Sequence, residues 1–107
     1  MSPPGAPSAL EAVIVSCDHF AGDADLCKQR LLSDYPGFPS SCLAMVGQPV
    51  YGPCPEEHRI ASCVVGTRAS FQYEGRGRHT AERIAVDVDV LQDACARDHG
   101  VFEPARR

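Results

Sequence analysis

Six cysteines in 107 residues, none of them in a CxxC pair, constrain this chain more than any other feature. They are Cys17, Cys27, Cys42, Cys54, Cys63 and Cys95. Zinc ribbons, thioredoxin-like motifs and iron–sulfur runs need close cysteine pairs, so the spacing argues against all three. An even count at wide spacing predicts three disulfides formed in an oxidising compartment. The alternative is six reduced, buried cysteines in an intracellular protein. Six cysteines allow fifteen pairings, and spacing does not choose among them. Among local pairs Cys54–Cys63 comes first, because PEEHRIAS between them is short enough to close over a turn. A bridge of that loop length removes roughly 3 kcal/mol of denatured-state freedom in the chain-entropy model.

Such staples suit a chain with a thin core. Leu, Ile, Val and Phe together number 23, and there is no Trp, which places the chain just above the composition of disordered proteins. The length supports one domain, expected over residues 12–104, with an N-terminal tail at 1–11 and a short C-terminal tail at 105–107. No apolar run approaches the ~20 residues of a membrane span. The formal charge of −4 disfavours a nucleic-acid-binding surface.

The N-terminal residues lack the basic start and uninterrupted apolar stretch of a signal peptide. Ile14-Val15-Ser16-Cys17 has the look of a lipobox with Cys17 as the acylated residue, but the same two features are missing. The expectation is a leader already removed, with Met1 in its place.

Patterning predicts a small α+β domain: a short antiparallel sheet and two or three short helices held by three disulfides. The apolar run from Ala12 to Ser16 reads as a buried strand ending at Cys17. Asp23 is placed to cap a helix over residues 24–32, where Leu26, Cys27, Arg30 and Leu31 fall at helical spacing. Tyr35-Pro-Gly-Phe-Pro39 breaks it. A brief helix from Cys42 to Val46 is expected to stop at Gly47, with a strand at Val50-Tyr51. Arg59–Val65 and Ala69–Tyr73 read as strands joined through Gly66-Thr67-Arg68. Residues 80–88 suit either helix or strand. A helix is expected over Asp89–Asp98, ended at Gly100, before a last strand at Val101-Phe102. An internal echo links Cys42 through Gly47 to Tyr51 and Cys95 through Gly100 to Phe102. In each, a helix cysteine is followed by Gly at the helix end and then an aromatic, as a pseudo-repeat would be.

The order of these elements resembles small secreted cysteine-rich proteins predicted from myxobacterial and related high-GC genomes. The matching pieces are Cys17-Asp-His-Phe-Ala-Gly22, Cys42 to Tyr51, Cys54-Pro55, Ile60-Ala-Ser-Cys63, Phe71-Gln-Tyr73 and Cys95 to Phe102. A single Gly stands at both helix ends where that pattern has two, and Cys27 and residues 80–88 are additions. The resemblance implies an envelope or extracellular module with no assigned activity.

No catalytic signature emerges. Cys17-x-His19 offers two metal ligands or a nucleophile with a base, but a disulfide cysteine beside a loop histidine explains it as well. Asp23/Asp25 and Asp87/Asp89 would each share one face of a strand, as acid–base or calcium chemistry requires; capping and a solvated face are the simpler readings. Gly75-Arg-Gly-Arg-His-Thr80 lacks both the Walker and the dinucleotide pattern. It does gather Arg76, Arg78 and Arg83, with Arg68 nearby, into a contact patch for an acidic partner or surface polymer. Tyr35 and Phe38 form a second candidate contact surface. No catalytic residue, metal ligand or cofactor is assigned. The expected function is a secreted or cell-envelope binding or structural module without catalysis, its partner a protein or surface polymer. The alternatives are an intracellular acidic interaction protein of inhibitor or immunity type with reduced cysteines, and a small secreted enzyme or toxin.

Overall fold

The computed structural model describes residues 13–19, 25–75 and 80–104. The expected tails, the Asp23 cap and Arg76, Arg78 and His79 lie outside them. Six strands and two helices follow in the order β1 (Ile14–Asp18), β2 (Leu26–Leu31), α1 (Phe38–Ala44), β3 (Gln48–Tyr51), β4 (Arg59–Val65), β5 (Arg68–Tyr73), α2 (Ala81–Arg97) and β6 (Val101–Pro104). The strands form one antiparallel sheet in the order β3-β1-β2-β5-β4-β6.

That order is its own mirror in chain sequence. β1-β2-α1-β3 and β4-β5-α2-β6 are two ββαβ units of one connectivity, meeting through β2 and β5. The register makes the correspondence residue by residue. Cys17 pairs with Lys28 and Pro49; Cys63 pairs with Ser70 and Phe102. Lys28 is itself opposite Ser70 across the β2–β5 seam, so a pseudo-twofold passes through that pair. Cys17–Cys42 and Cys63–Cys95 are then equivalent disulfides, each tying the first strand of a unit to its helix. The echo expected from sequence is therefore structural, with one correction. Phe102 corresponds to Pro49, and Tyr51 to Pro104, so the aromatics are not equivalent.

The helix ends agree in detail. Gly47 N–H donates to Cys42 O and Gly100 N–H to Cys95 O, both at 2.8 Å. The left-handed residues are Val46 (φ 59°) and His99 (φ 57°), one position before each glycine. The glycines are needed for space instead. A Cβ on Gly47 would stand 2.4 Å from Cys17 Sγ, and one on Gly100 2.8 Å from Cys95 Sγ.

Two further expectations change, and the open segment at 80–88 is decided. Residues 26–31 are strand β2, not helix, because pairing with β1 and β5 on both sides satisfies their backbone and overrides a weak helical spacing. The ambiguous stretch at 80–88 joins α2, whose first turn is capped by the Thr80 hydroxyl accepting from Arg83 N–H at 3.2 Å. Cys54 bridges Cys27, not Cys63: Cys63 faces α2 and is claimed by Cys95, while Cys54 crosses the opposite sheet face. Cys17 is closed in a disulfide, so its sulfur is not available for acylation.

The third disulfide anchors the core. Cys27, Cys54, Ala69, Phe71 and Tyr73 cluster on the face away from the helices. The segment from Gly52 to Arg59 covers them. Tyr73 Oη donates to Pro55 O at 2.6 Å, and Cys54 N–H donates to Gln29 Oε1 at 2.9 Å. The Arg59 guanidinium lies 3.7 Å from the Phe71 ring centroid and donates to Cys54 O and Pro55 O.

Candidate functional site: a groove between the helices

Alternation along the strands sends Leu26, Lys28 and Arg30 of β2 to the helix side with Ser70 and Gln72 of β5. α1 packs on β1 and β3, and α2 on β4, β5 and β6. The helices therefore stand apart over the middle of the sheet. Between them lies a groove of about 670 Å³ with β2 and β5 as its floor. That volume falls within the ~300–1,000 Å³ of ligand clefts. One wall carries Phe38, Ser41 and Met45; the other carries Val90, Leu91 and Ala94. The equivalent disulfides sit at the feet of the two walls, so covalent bonds fix how far each helix stands from the floor.

Four of the six contact residues expected from sequence line the groove, but Arg68, paired with Asp98, and Arg83, paired with Asp87, stand at opposite ends of α2, roughly 20 Å apart, so they do not form the expected common patch. Tyr35, Phe38, Arg68 and Arg83 all line the groove, although they come from a turn, both helices and β5. Tyr35 and Phe38 meet edge-on, ring centroids 6.0 Å apart at 83°. The two arginines are partly committed: Arg68 pairs with Asp98 at 3.2 Å and Arg83 with Asp87 at 3.1 Å. Both pairs are solvent-exposed, so neither contributes much to stability. Lys28 and Arg30 are not legible as a pair from sequence, because helical spacing separates them and β2 has no apolar face to signal a strand.

His19 enters at the end of β1. Its Nε2 lies 3.3 Å from Cys17 Sγ. Burial is the main cause of its lowered pKa, the Lys28 charge adds to it, and Asp18 opposes it. The Cys17-x-His19 pair is thus a disulfide sulfur beside an imidazole, with no thiolate to act as nucleophile. Asp87 and Asp89 lie on α2, where residues two apart do not share a face. Among the described residues no three His, Cys, Asp or Glu side chains gather around a common point for a metal, and no helix is long and apolar enough to cross a membrane.

A scan of family models, a search of curated proteins and a search of solved structures each found no match to this chain. The groove and the disulfides themselves carry the functional reading. Three closed disulfides and no free cysteine mark an oxidised, extracellular-type stabilised module and favour an extracellular or periplasmic location.

Proposed function

We propose that this protein is a secreted or cell-envelope binding module, without catalysis, whose ligand-contact surface is the groove between α1 and α2. The observation that carries the reading is the groove itself, which is lined by Tyr35, Phe38, Arg68 and Arg83 and whose walls are tied to the sheet by disulfides. Aromatic and arginine side chains are the common anchors of recognition surfaces. A wall that cannot shift loses little entropy when a ligand seats. The groove offers side chains of mixed polarity, and the cysteines that line it are closed in disulfides. The resemblance expected from sequence to small secreted cysteine-rich proteins of high-GC bacteria, which have no assigned activity, fits the same compartment and fold class.

The test fills the groove without touching the disulfides. Ala94 lies half-buried in the α2 wall, and Ala94→Trp projects an indole into the cleft. Immobilised wild type and Ala94→Trp are compared for retention of material from the source cells' surface and culture fluid. The reading expects a ligand retained by wild type and lost by the filled variant. Equal retention by both removes the groove as the contact surface.

A further inference from the structure

The groove floor holds two cations, Lys28 and Arg30, that make no ion pair with a described residue. Lys28 makes no hydrogen bond or ion pair with a described residue. Arg30 stacks its guanidinium 4.7 Å from the Tyr35 ring centroid and keeps its Nε buried without an acceptor. Both side chains are half-buried. Of the acids that line the groove, Asp87 pairs with Arg83 and Asp98 with Arg68, and Asp25 is itself buried at 1% exposure. Neither Lys28 Nζ nor a terminal nitrogen of Arg30 is buried without a partner, so both charged ends reach solvent and are open to an incoming carboxylate. This stands out on a chain whose formal charge is −4.

We infer that the groove takes an extended acidic peptide segment, with two carboxylates two residues apart seated on Lys28 and Arg30. This rests on the groove being the contact surface. Three features select that ligand. First, Lys28 and Arg30 are alternate residues of one strand, spaced by ~7 Å, which is the spacing of carboxylates at i and i+2 of an extended chain. Second, each wall carries apolar side chains, Phe38 and Met45 on one and Val90 and Leu91 on the other, so a chain with apolar residues flanking its acids is matched on both counts. An acidic polysaccharide would leave those walls unused. Third, the gap is narrow. With strands ~4.8 Å apart and helices ~10 Å across, helices centred over β1/β3 and β4 leave about 7 Å between their surfaces. An extended chain enters such a gap and a third helix does not. The six-residue floor strands, ~20 Å long, set the length at about six residues.

The experiment titrates the full chain, with its disulfides intact, with acetyl-Leu-Glu-Ala-Glu-Leu-Phe-amide and with the same peptide carrying Gln for Glu, following amide shifts by NMR. The Glu peptide is expected to move Lys28, Arg30, Ser70 and Leu91. The Gln peptide is expected to bind at least about tenfold more weakly, and affinity for the Glu peptide to fall with added salt. Lys28→Gln should weaken the Glu peptide and not the Gln peptide. Ser70→Glu gives a second, fold-preserving check. It sets a carboxylate directly opposite Lys28 in the β2–β5 register and should suppress Glu-peptide binding while the fold is retained. Equal binding of Glu and Gln peptides in the groove overturns the acidic preference and leaves the groove standing as the contact surface. Binding of neither peptide, or binding of tetragalacturonate in their place, overturns the inference; the Ala94→Trp comparison then decides the groove on its own.

Discussion

Two glycines illustrate how single residues hold this molecule together. Gly47 and Gly100 both have negative φ, so neither is there for a left-handed turn. Each lies where a strand leaves a helix and crosses a disulfide. A Cβ at Gly47 would meet Cys42 Sγ at 2.7 Å in addition to Cys17, and one at Gly100 would meet Val64 O at 2.9 Å and Val65 Cγ2 at 2.6 Å. Sulfur locked in a bridge and backbone oxygen cannot move aside. Gly47→Ala and Gly100→Ala should each destabilise by about 1–3 kcal/mol, the usual cost of overpacking, measured by urea denaturation. Gly37→Ala, whose Cβ would make an ordinary 3.5 Å contact with the Tyr35 ring, should stay within about 0.5 kcal/mol of wild type. His19 gives a second residue-scale prediction. Its folded pKa lies below the ordinary 6.5, so the unfolded chain takes up its proton first as pH falls. The stabilising contribution of neutral His19 is complete above pH 6.5 and declines with acidification until the lowered folded pKa is passed. His19→Gln should flatten the stability slope just below pH 6.5, and NMR titration should show His19 protonating below that value.

At the scale of elements, the two helix ends repeat a device with one weak point. Val46 is β-branched, left-handed at φ 59° and 73% exposed, so it carries backbone strain and little packing. Val46→Gly should raise stability by about 0.5–1 kcal/mol, the relief of a left-handed β-branched residue net of the entropy of glycine, seen as a higher melting temperature. Thr80→Ala should lower stability by about 1 kcal/mol through loss of the α2 cap. The strands that sequence identified well, β4 and β5, are those with a committed face: Phe71 and Tyr73 alternate into the core, and Gly66 at φ 60° turns the hairpin. β2 was misread as helix for the opposite reason. Its groove side presents Leu26, Lys28 and Arg30, its other side Cys27, Gln29 and Leu31, so neither face is apolar and no period-2 signal remains. α2 was shortened because Val86, Val88 and Val90 alternate with Asp87 and Asp89; on the helix they spread around the surface, and Val86 and Val90 stay exposed. The groove was half legible. Its rim residues advertise recognition chemistry by type, whereas its floor cations become neighbours only through the strand that was misassigned.

On the scale of the whole molecule, disulfides do much of what a larger core would do. The bridges span 25, 27 and 32 residues, and loops of that size each restrict the unfolded chain by about 3.5 kcal/mol in the chain-entropy model. Two of them act alike, one per ββαβ unit, and set the walls of the groove. The third clamps the connection between the units across the core face. Removing Cys63–Cys95 as a double Ala variant should therefore loosen α2 and widen the groove, while removing Cys27–Cys54 should expose Phe71 and Tyr73; near-UV circular dichroism and amide exchange separate the two outcomes. In the alternative reading, an intracellular protein with reduced thiols, neither wall of the groove is covalently tied to the sheet. The measurement that decides between them is a thiol-alkylation and non-reducing peptide map of the protein from its native source. No alkylation is expected before reductant, with three linked peptide pairs, Cys17–Cys42, Cys27–Cys54 and Cys63–Cys95. Six thiols alkylating without reductant, or a Cys54–Cys63 peptide, would contradict this pairing.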